Sequence, residues 1–401
     1  MDWQTSEDTV PSAFITEANA RSVVGKPPAS GAWREGDPPG ARRFLSIGPT
    51  ALERGGELPS VRVAFETIGT LNADSSNAIL ICHALTGDSH VVGLPGPGHA
   101  TGGWWNDLVG RGKAIDTDRW FVVAPNMLGG CQGTTGPASY SPDGAEWGPR
   151  FPFVTIRDQV DVQLALTNAL GIDRWAAVIG GSMGGMQSLE WAASYPERLE
   201  RVAVLAAPPL SSADQIALNS LQIEAVRIDP AFADGEYYEA ADGDGPHRGL
   251  ALARRMALLN YRSSSELNDR FERSAQSEVS PLGDGGRYAV ESYLDFHGNK
   301  FTRRFDANSY LTLLAAMNSH DVGRGRGGTV AALSKVTMPA LILAIDSDRL
   351  FPVADQNQIA AHTPGNIDAT VPHVISSQFG HDGFLIENAL VGAQIERLLG
   401  T

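Results

Sequence analysis

Cysteine is scarce: Cys82 and Cys131 are the only two in 401 residues. Two thiols make neither a disulfide framework nor a thiolate metal cluster. Long apolar runs are missing too, and no stretch approaches the length that spans a bilayer. Basic charge is outweighed, with 31 Lys+Arg against 46 Asp+Glu and a net charge of -15. That balance argues against nucleic acid or an anionic membrane as a partner. Met1 to Asp8 is acidic and has no apolar core, so it reads as no signal peptide, and a cytoplasmic protein is expected. H-E-x-x-H and Cys/His metal spacings are absent, so no metal is expected. Gly110-Arg111-Gly112-Lys113 lacks the upstream glycine spacing and the Ser/Thr of a phosphate-binding loop. No internal repeat is found.

What is present is ordinary for a globular chain: 42% hydrophobic and 19% charged residues. Residues 1–41, rich in Pro, Gly, Ser and Ala, read as a loosely ordered arm. Short apolar runs follow at Ser60 to Thr67, Asn77 to Cys82, Trp120 to Ala124, Ala176 to Ile179, Arg201 to Ala206 and Ala340 to Ile345. They alternate with helical patterns, which predicts an α/β fold with a mostly parallel sheet and helices on both faces. Between residues 211 and 329 the pattern is helical and amphipathic, as in Gln215 to Arg227, Arg248 to Tyr261 and Ala307 to Asn318. This stretch reads as a lid inserted between two core parts, 42–210 and 330–401, over the sheet edge where substrates bind.

Gly180-Gly181-Ser182-Met183-Gly184-Gly185 contains G-x-S-x-G between an apolar run and an apolar helix that stops before Pro196. Strand, tight turn and helix form the context of a nucleophile elbow, which holds a serine up at the sheet end. Such a serine needs a base, and the base an orienting carboxylate, in the chain order Ser, acid, His. The acid belongs after the late strand Ala340 to Ile345. Asp348 is chosen, further into the loop and ahead of Leu350-Phe351-Pro352; Asp346 is the fallback. Of the histidines that follow, His362, His373 and His381, the last sits in Phe379-Gly380-His381-Asp382-Gly383-Phe384. Flanking glycines let that loop present an imidazole, whereas His373 lies in an alternating segment facing solvent or core. The oxyanion donors are expected to be the Met183 N–H and an N–H of the His83-Ala84-Leu85 turn, Leu85, with His83 fixing the loop.

Other features carry less. Asp242-Gly243-Asp244-Gly245 lacks the third ligand and closing Glu of a calcium loop and reads as a turn. Gly323-Arg324-Gly325-Arg326-Gly327-Gly328 reads as a hinge returning from lid to core rather than an RNA-binding tract. Trp104-Trp105 reads as packing.

The wider pattern resembles the homoserine O-acetyltransferase family. The matching segments are His83 to His90, Asn126 to Pro137, Phe151-Pro152 with Thr155 to Val160, and the elbow with Leu189-Glu190-Trp191. Arg303 to Tyr310, His320 to Gly325, Ser347 to Pro352 and the His381 turn complete the set, from about Ser60 to the C-terminus. The resemblance implies an α/β-hydrolase fold, and acetyl transfer from acetyl-CoA, a co-substrate rather than a bound cofactor, to L-homoserine in methionine synthesis. It implies a ping-pong route through acetyl-Ser182. It puts the substrate carboxylate on Arg254 of Leu252-Ala253-Arg254, with Arg255 the adjacent alternative, places Tyr261 in the lid, and puts the substrate ammonium on Asp382. A homodimer through the lid is expected. The alternatives are a succinyl donor, a serine acceptor, or a hydrolase with water as acceptor.

Overall fold

The computed structural model describes residues 23–400. Ten strands run β1 Arg43–Ala51, β2 Glu57–Ile68, β3 Ala78–Cys82, β4 Val109–Gly110, β5 Ile115–Asp116, β6 Phe121–Pro125, β7 Ala177–Gly181, β8 Val202–Leu205, β9 Ala340–Ile345 and β10 His373–Ile375. Eight of them form one sheet in the order β1-β2-β6-β3-β7-β8-β9-β10, and β4 and β5 pair separately. From β6 to β10 the neighbours are parallel, while β1 and β2 close one edge antiparallel. Strands β3, β7, β8 and β9 are buried along their whole length. Helices cover both faces of these strands, which is why they read as continuous apolar runs rather than alternating ones.

Helices α1 Ile156–Ala169 and α2 Met183–Ser194 pack on the sheet. Thr155 starts α1 with a capping box, its side chain accepting from the Asp158 N–H while Asp158 reaches back to Thr155. Between β8 and β9 come α3 Ala213–Arg227, α4 His247–Tyr261, α5 Ser264–Phe271, α6 Ala289–Phe301, α7 Ala307–Asn318 and α8 Thr329–Leu333. The chain then adds α9 Val353–His362, α10 Gly383–Ile386 and α11 Asn388–Leu399. Helices α3 to α7 fall between β8 and β9, the stretch that the sequence reading assigns to a lid, and that name is kept for them below.

One sequence expectation needs correction. The arm divides: residues 1–22 lie outside the described residues, but 23–41 are packed rather than loose. Ser30 Oγ donates to Asp306 at 2.7 Å, the Gly31 N–H to Phe305 O at 3.2 Å and the Trp33 N–H to Cys131 O at 2.9 Å. Arg303 holds the carbonyls of Val23, Val24 and Gly25. A Pro/Gly-rich segment is short of local hydrogen bonds, so its partners are tertiary and leave no periodicity. The edge strand β1 leaves little mark in the sequence, because its half-exposed residues show little alternation and its register shifts at Gly48.

Candidate active site

Three loops leave the sheet at neighbouring carboxyl ends. Ser182 follows β7 with φ 59° and ψ -126°, a conformation that costs a non-glycine residue on the order of 1–3 kcal/mol. The fold compensates with close packing. A Cβ on Gly184 would lie 2.1 Å from the Cys82 carbonyl oxygen, and one on Gly180 2.2 Å from the Gly184 oxygen. Only glycines let α2 start directly under its strand neighbours. The Ser182 N–H donates to Leu205 O at 2.9 Å and locks the elbow to β8.

His381 Nε2 lies 2.8 Å from Ser182 Oγ, and its Nδ1 lies 2.7 Å from Asp348 Oδ2. The other Asp348 oxygen accepts from the N–H groups of Leu350 and Phe351 at 2.8 and 2.9 Å. The loop that Leu350-Phe351 anchors therefore also aims the carboxylate. Asp346, the fallback, accepts from the Ser377 N–H instead. His373 sits on β10 opposite Leu343 and takes no part. Gly380 takes φ 65°, and a Cβ there would meet Tyr261 O at 2.6 Å, so the histidine loop passes tight beneath the lid. Ser182 and His381 are 5% and 3% exposed. Burial lowers the His381 pKa, but the charge and hydrogen bond of Asp348, with Asp382 beyond, outweigh it and leave it raised.

Among the described residues, no acceptor takes the Leu85 or Met183 N–H. Met183 is the first residue of α2, where such an N–H is unpaired by construction. His83 is structural: its Nε2 accepts from the Met127 N–H at 3.2 Å and its Nδ1 lies 2.7 Å from Ala84 O.

The lid brings Arg254 and Tyr261 to the same place. The Arg254 guanidinium lies 5.4 Å from the centre of the Tyr261 ring, which in turn lies 5.7 Å from the His381 ring. Arg255 turns away to pair with Asp295 at 2.9 Å. Asp382, the anion that the family resemblance implies for the substrate ammonium, already meets Arg262 Nε at 3.2 Å through Oδ2. Arg262 directly follows Tyr261, but nothing in the sequence pairs it with Asp382, which lies far along the chain. Burial raises the Asp382 pKa against the pull of Arg262, His381 and Arg254.

Glu66, His90 and His99 also gather, with ligating atoms within 4.8 Å of one another. Sequence spacing could not bring them together. The nitrogens nearest the cluster are already used: the His90 Nδ1–H donates to Glu66 at 3.0 Å and His99 Nε2 accepts from the Ala41 N–H at 2.9 Å, which leaves the buried His99 Nδ1 without a partner among the described residues. The imidazoles stack at 3.7 Å and 11°, an arrangement in which one ion cannot lie in both ring planes. The cluster ties the Ser89–His90 loop to the arm. The weak motifs settle as structure. Arg326 of the glycine-arginine turn pairs with buried Glu190, Trp105 is 1% exposed, and the Gly243 N–H donates to Pro27 O. A cavity of about 530 Å³ between α3, α4 and α6, lined by Ile228, His247, Leu252 and Arg255, contains no triad residue.

Compared with known proteins, the family described as alpha/beta hydrolase fold matches residues 77–387. The chain is 68% identical over 399 residues to a homoserine O-acetyltransferase of Leifsonia xyli subsp. xyli (strain CTCB07), covering 99% of each. Among solved structures, the homoserine O-acetyltransferase from Bacillus anthracis superposes with a TM-score of 0.80 at 28% identity, covering 90% of this chain and 97% of that one. Esterase E22 superposes equally well, TM-score 0.80 at 28% identity, covering 89% and 99%. Backbone likeness alone therefore does not separate acyl transfer from ester hydrolysis.

Proposed function

The chain belongs to the homoserine O-acetyltransferase family, and on that premise we propose that it moves the acetyl group of acetyl-CoA to the side-chain hydroxyl of L-homoserine, a step of methionine synthesis. The observation that carries this reading over the esterase is the 68% identity along 99% of the chain. The Arg254 and Asp382 pair beside His381 supports it, because a zwitterionic acceptor needs a fixed cation and a fixed anion and a plain ester does not.

In the first half-reaction His381 takes the Ser182 proton and the oxygen adds to the thioester carbonyl. The Leu85 and Met183 N–H groups hold the oxyanion. The carbon–sulfur bond breaks, the coenzyme A sulfur receives the proton from His381, and acetyl-Ser182 remains. In the second, His381 takes the homoserine hydroxyl proton, the hydroxyl oxygen attacks the acetyl carbon, and Ser182 leaves with that proton. Asp348 holds the imidazole tautomer throughout. Arg254 takes the substrate carboxylate. Asp382 takes the ammonium. Closure of the lid over a serine 5% exposed keeps water from the acetyl-enzyme.

Acetyl-CoA acts as co-substrate, and no bound cofactor is invoked. No helix among the described residues is long and apolar enough to cross a membrane, which is compatible with a cytoplasmic enzyme. A homodimer through the lid is supported by exposed Leu221 on α3, Ile228 at its C-terminal end and Leu259 on α4.

The test crosses acetyl-CoA and succinyl-CoA with L-homoserine and L-serine in a coenzyme A release assay. Acetyl-CoA with L-homoserine is expected to be fastest. Without acceptor, one acetyl group should appear on the peptide bearing Ser182, and initial-rate plots should be parallel. Intersecting plots without that adduct would sink the covalent route; acceptor-independent release would favour a hydrolase.

A further inference from the structure

Arg304 stands in the short link between α6 and α7 and has no role in the scheme above. Its Nη1 donates to the Thr86 carbonyl at 2.9 Å, while Arg254 Nη1 donates to the Thr86 hydroxyl at 3.3 Å. The two guanidiniums lie 5.5 and 5.0 Å from the centre of the same Phe301 ring. Both are partly buried. Among the described residues neither has a carboxylate within the 4.0 Å of an ion pair. Other lid cations do: Arg255 meets Asp295 at 2.9 Å, Arg262 meets Asp382 at 3.2 Å and Arg270 meets Glu266 at 3.2 Å. Burial and the neighbouring Arg254 hold the Arg304 pKa below its usual value, and the more distant charge of Asp88 offsets them only in part. The Arg304 backbone is braced, its carbonyl accepting from Gln132 Nε2 at 2.8 Å.

Two adjacent cations, neither of them in a direct ion pair among the described residues, at the residue that follows the oxyanion donor Leu85, suit a carboxylate arriving between them. We propose that Arg304 is the second arm of the acceptor clamp, gripping the α-carboxylate of the amino-acid substrate opposite Arg254, with Thr86 as the rest on which both arms lie when the site is empty. The proposal rests on the functional reading above and names a further binding residue for it. A planar fork can keep one N–H on Thr86 and offer another to the carboxylate, which a lysine ammonium on the same stem does poorly.

The experiment uses the full chain and pre-formed acetyl-enzyme. Its decay is followed in buffer alone and with L-homoserine at fixed concentration, in wild type, R304Q and R304K. Decay in buffer needs the oxyanion hole but no carboxylate. Loss of one arm is expected to lower the ratio of homoserine-driven to spontaneous decay by roughly 30-fold or more in R304Q. R304K should lose part of it. An equal fall in both decay rates would mean that Arg304 only braces the oxyanion loop, and would overturn the clamp. Should R304Q not fold, R304K decides, and a wild-type ratio there overturns the proposal. If wild-type acetyl-enzyme ignores L-homoserine altogether, the functional reading falls and the clamp with it; if wild type responds and the variants keep its ratio, the clamp alone falls.

Discussion

At the scale of the residue, the site is a set of titratable groups whose settings depend on neighbours. His381 must be neutral to take a proton, and its pKa is raised, so activity should fade as pH drops through a value above that of an ordinary histidine. Part of that rise comes from the Asp382 charge. Removing a negative charge favours the neutral imidazole, so Asp382→Asn should move the acidic limb of the acylation step to lower pH. Single-turnover acylation with acetyl-CoA across pH 5 to 8 measures this, and an unmoved limb would remove Asp382 from the electrostatics of the base. Arg254 should matter elsewhere. Losing a hydrogen-bonded, desolvated charge partner costs on the order of 2–5 kcal/mol, or roughly 30-fold to a few thousand-fold. Arg254→Ala should show that loss in transfer to L-homoserine while still forming acetyl-Ser182. Loss of acylation instead would return the hydrolase reading to contention. Ser182→Ala should cost about 10⁴-fold or more in overall turnover.

At the scale of the element, the turn from lid back to core is tied by charge. Glu190 on α2 is 1% exposed and accepts from Arg157 Nε at 3.1 Å, Arg326 Nη1 at 3.0 Å and Ser194 Oγ at 2.7 Å. Arg326 lies in the glycine-arginine turn, so this carboxylate joins the lid's return path to the helix that begins at the nucleophile. Glu190→Ala leaves two partly buried guanidiniums without that partner, a change that costs about 3–5 kcal/mol in buried pairs. Urea unfolding should register a loss of that order. A change under about 0.5 kcal/mol, the scale of ordinary surface substitutions, would show the turn to be held by its backbone alone.

At the scale of the whole molecule, the segment before β1 joins core and lid. It bonds Cys131 and His99 in the core, and Phe305, Asp306 and Arg303 in the lid. A chain beginning at Arg42 loses all of these at once, including the Ser30 bond to the Asp306 carboxylate that caps α7. That truncation is expected to lower the melting temperature, and to weaken L-homoserine use more than acylation because Arg303 and Arg304 adjoin the lost contacts. An unchanged melting temperature would make the segment a passenger.

The sequence by itself determined what is local. Apolar runs marked β3, β6, β7, β8 and β9, because strands buried on both faces need no partner to be recognised. The glycines around Ser182, set between an apolar run and an apolar helix, pointed to an elbow, because a strand-to-helix turn that sharp has no room for Cβ atoms. Chain order pointed to Asp348 and His381, and the structure brings both to Ser182. What only the tertiary structure decided is everything made by distant charges and by packing without period. The pairing of Arg262 with Asp382, the meeting of Arg254 and Arg304 on Thr86, and the Glu66–His90–His99 cluster each join residues far apart in the chain. Such a contact has no periodicity and no fixed spacing. It exists only once the sheet and the lid have brought the two ends together, so its place could be read from the fold and from nothing earlier.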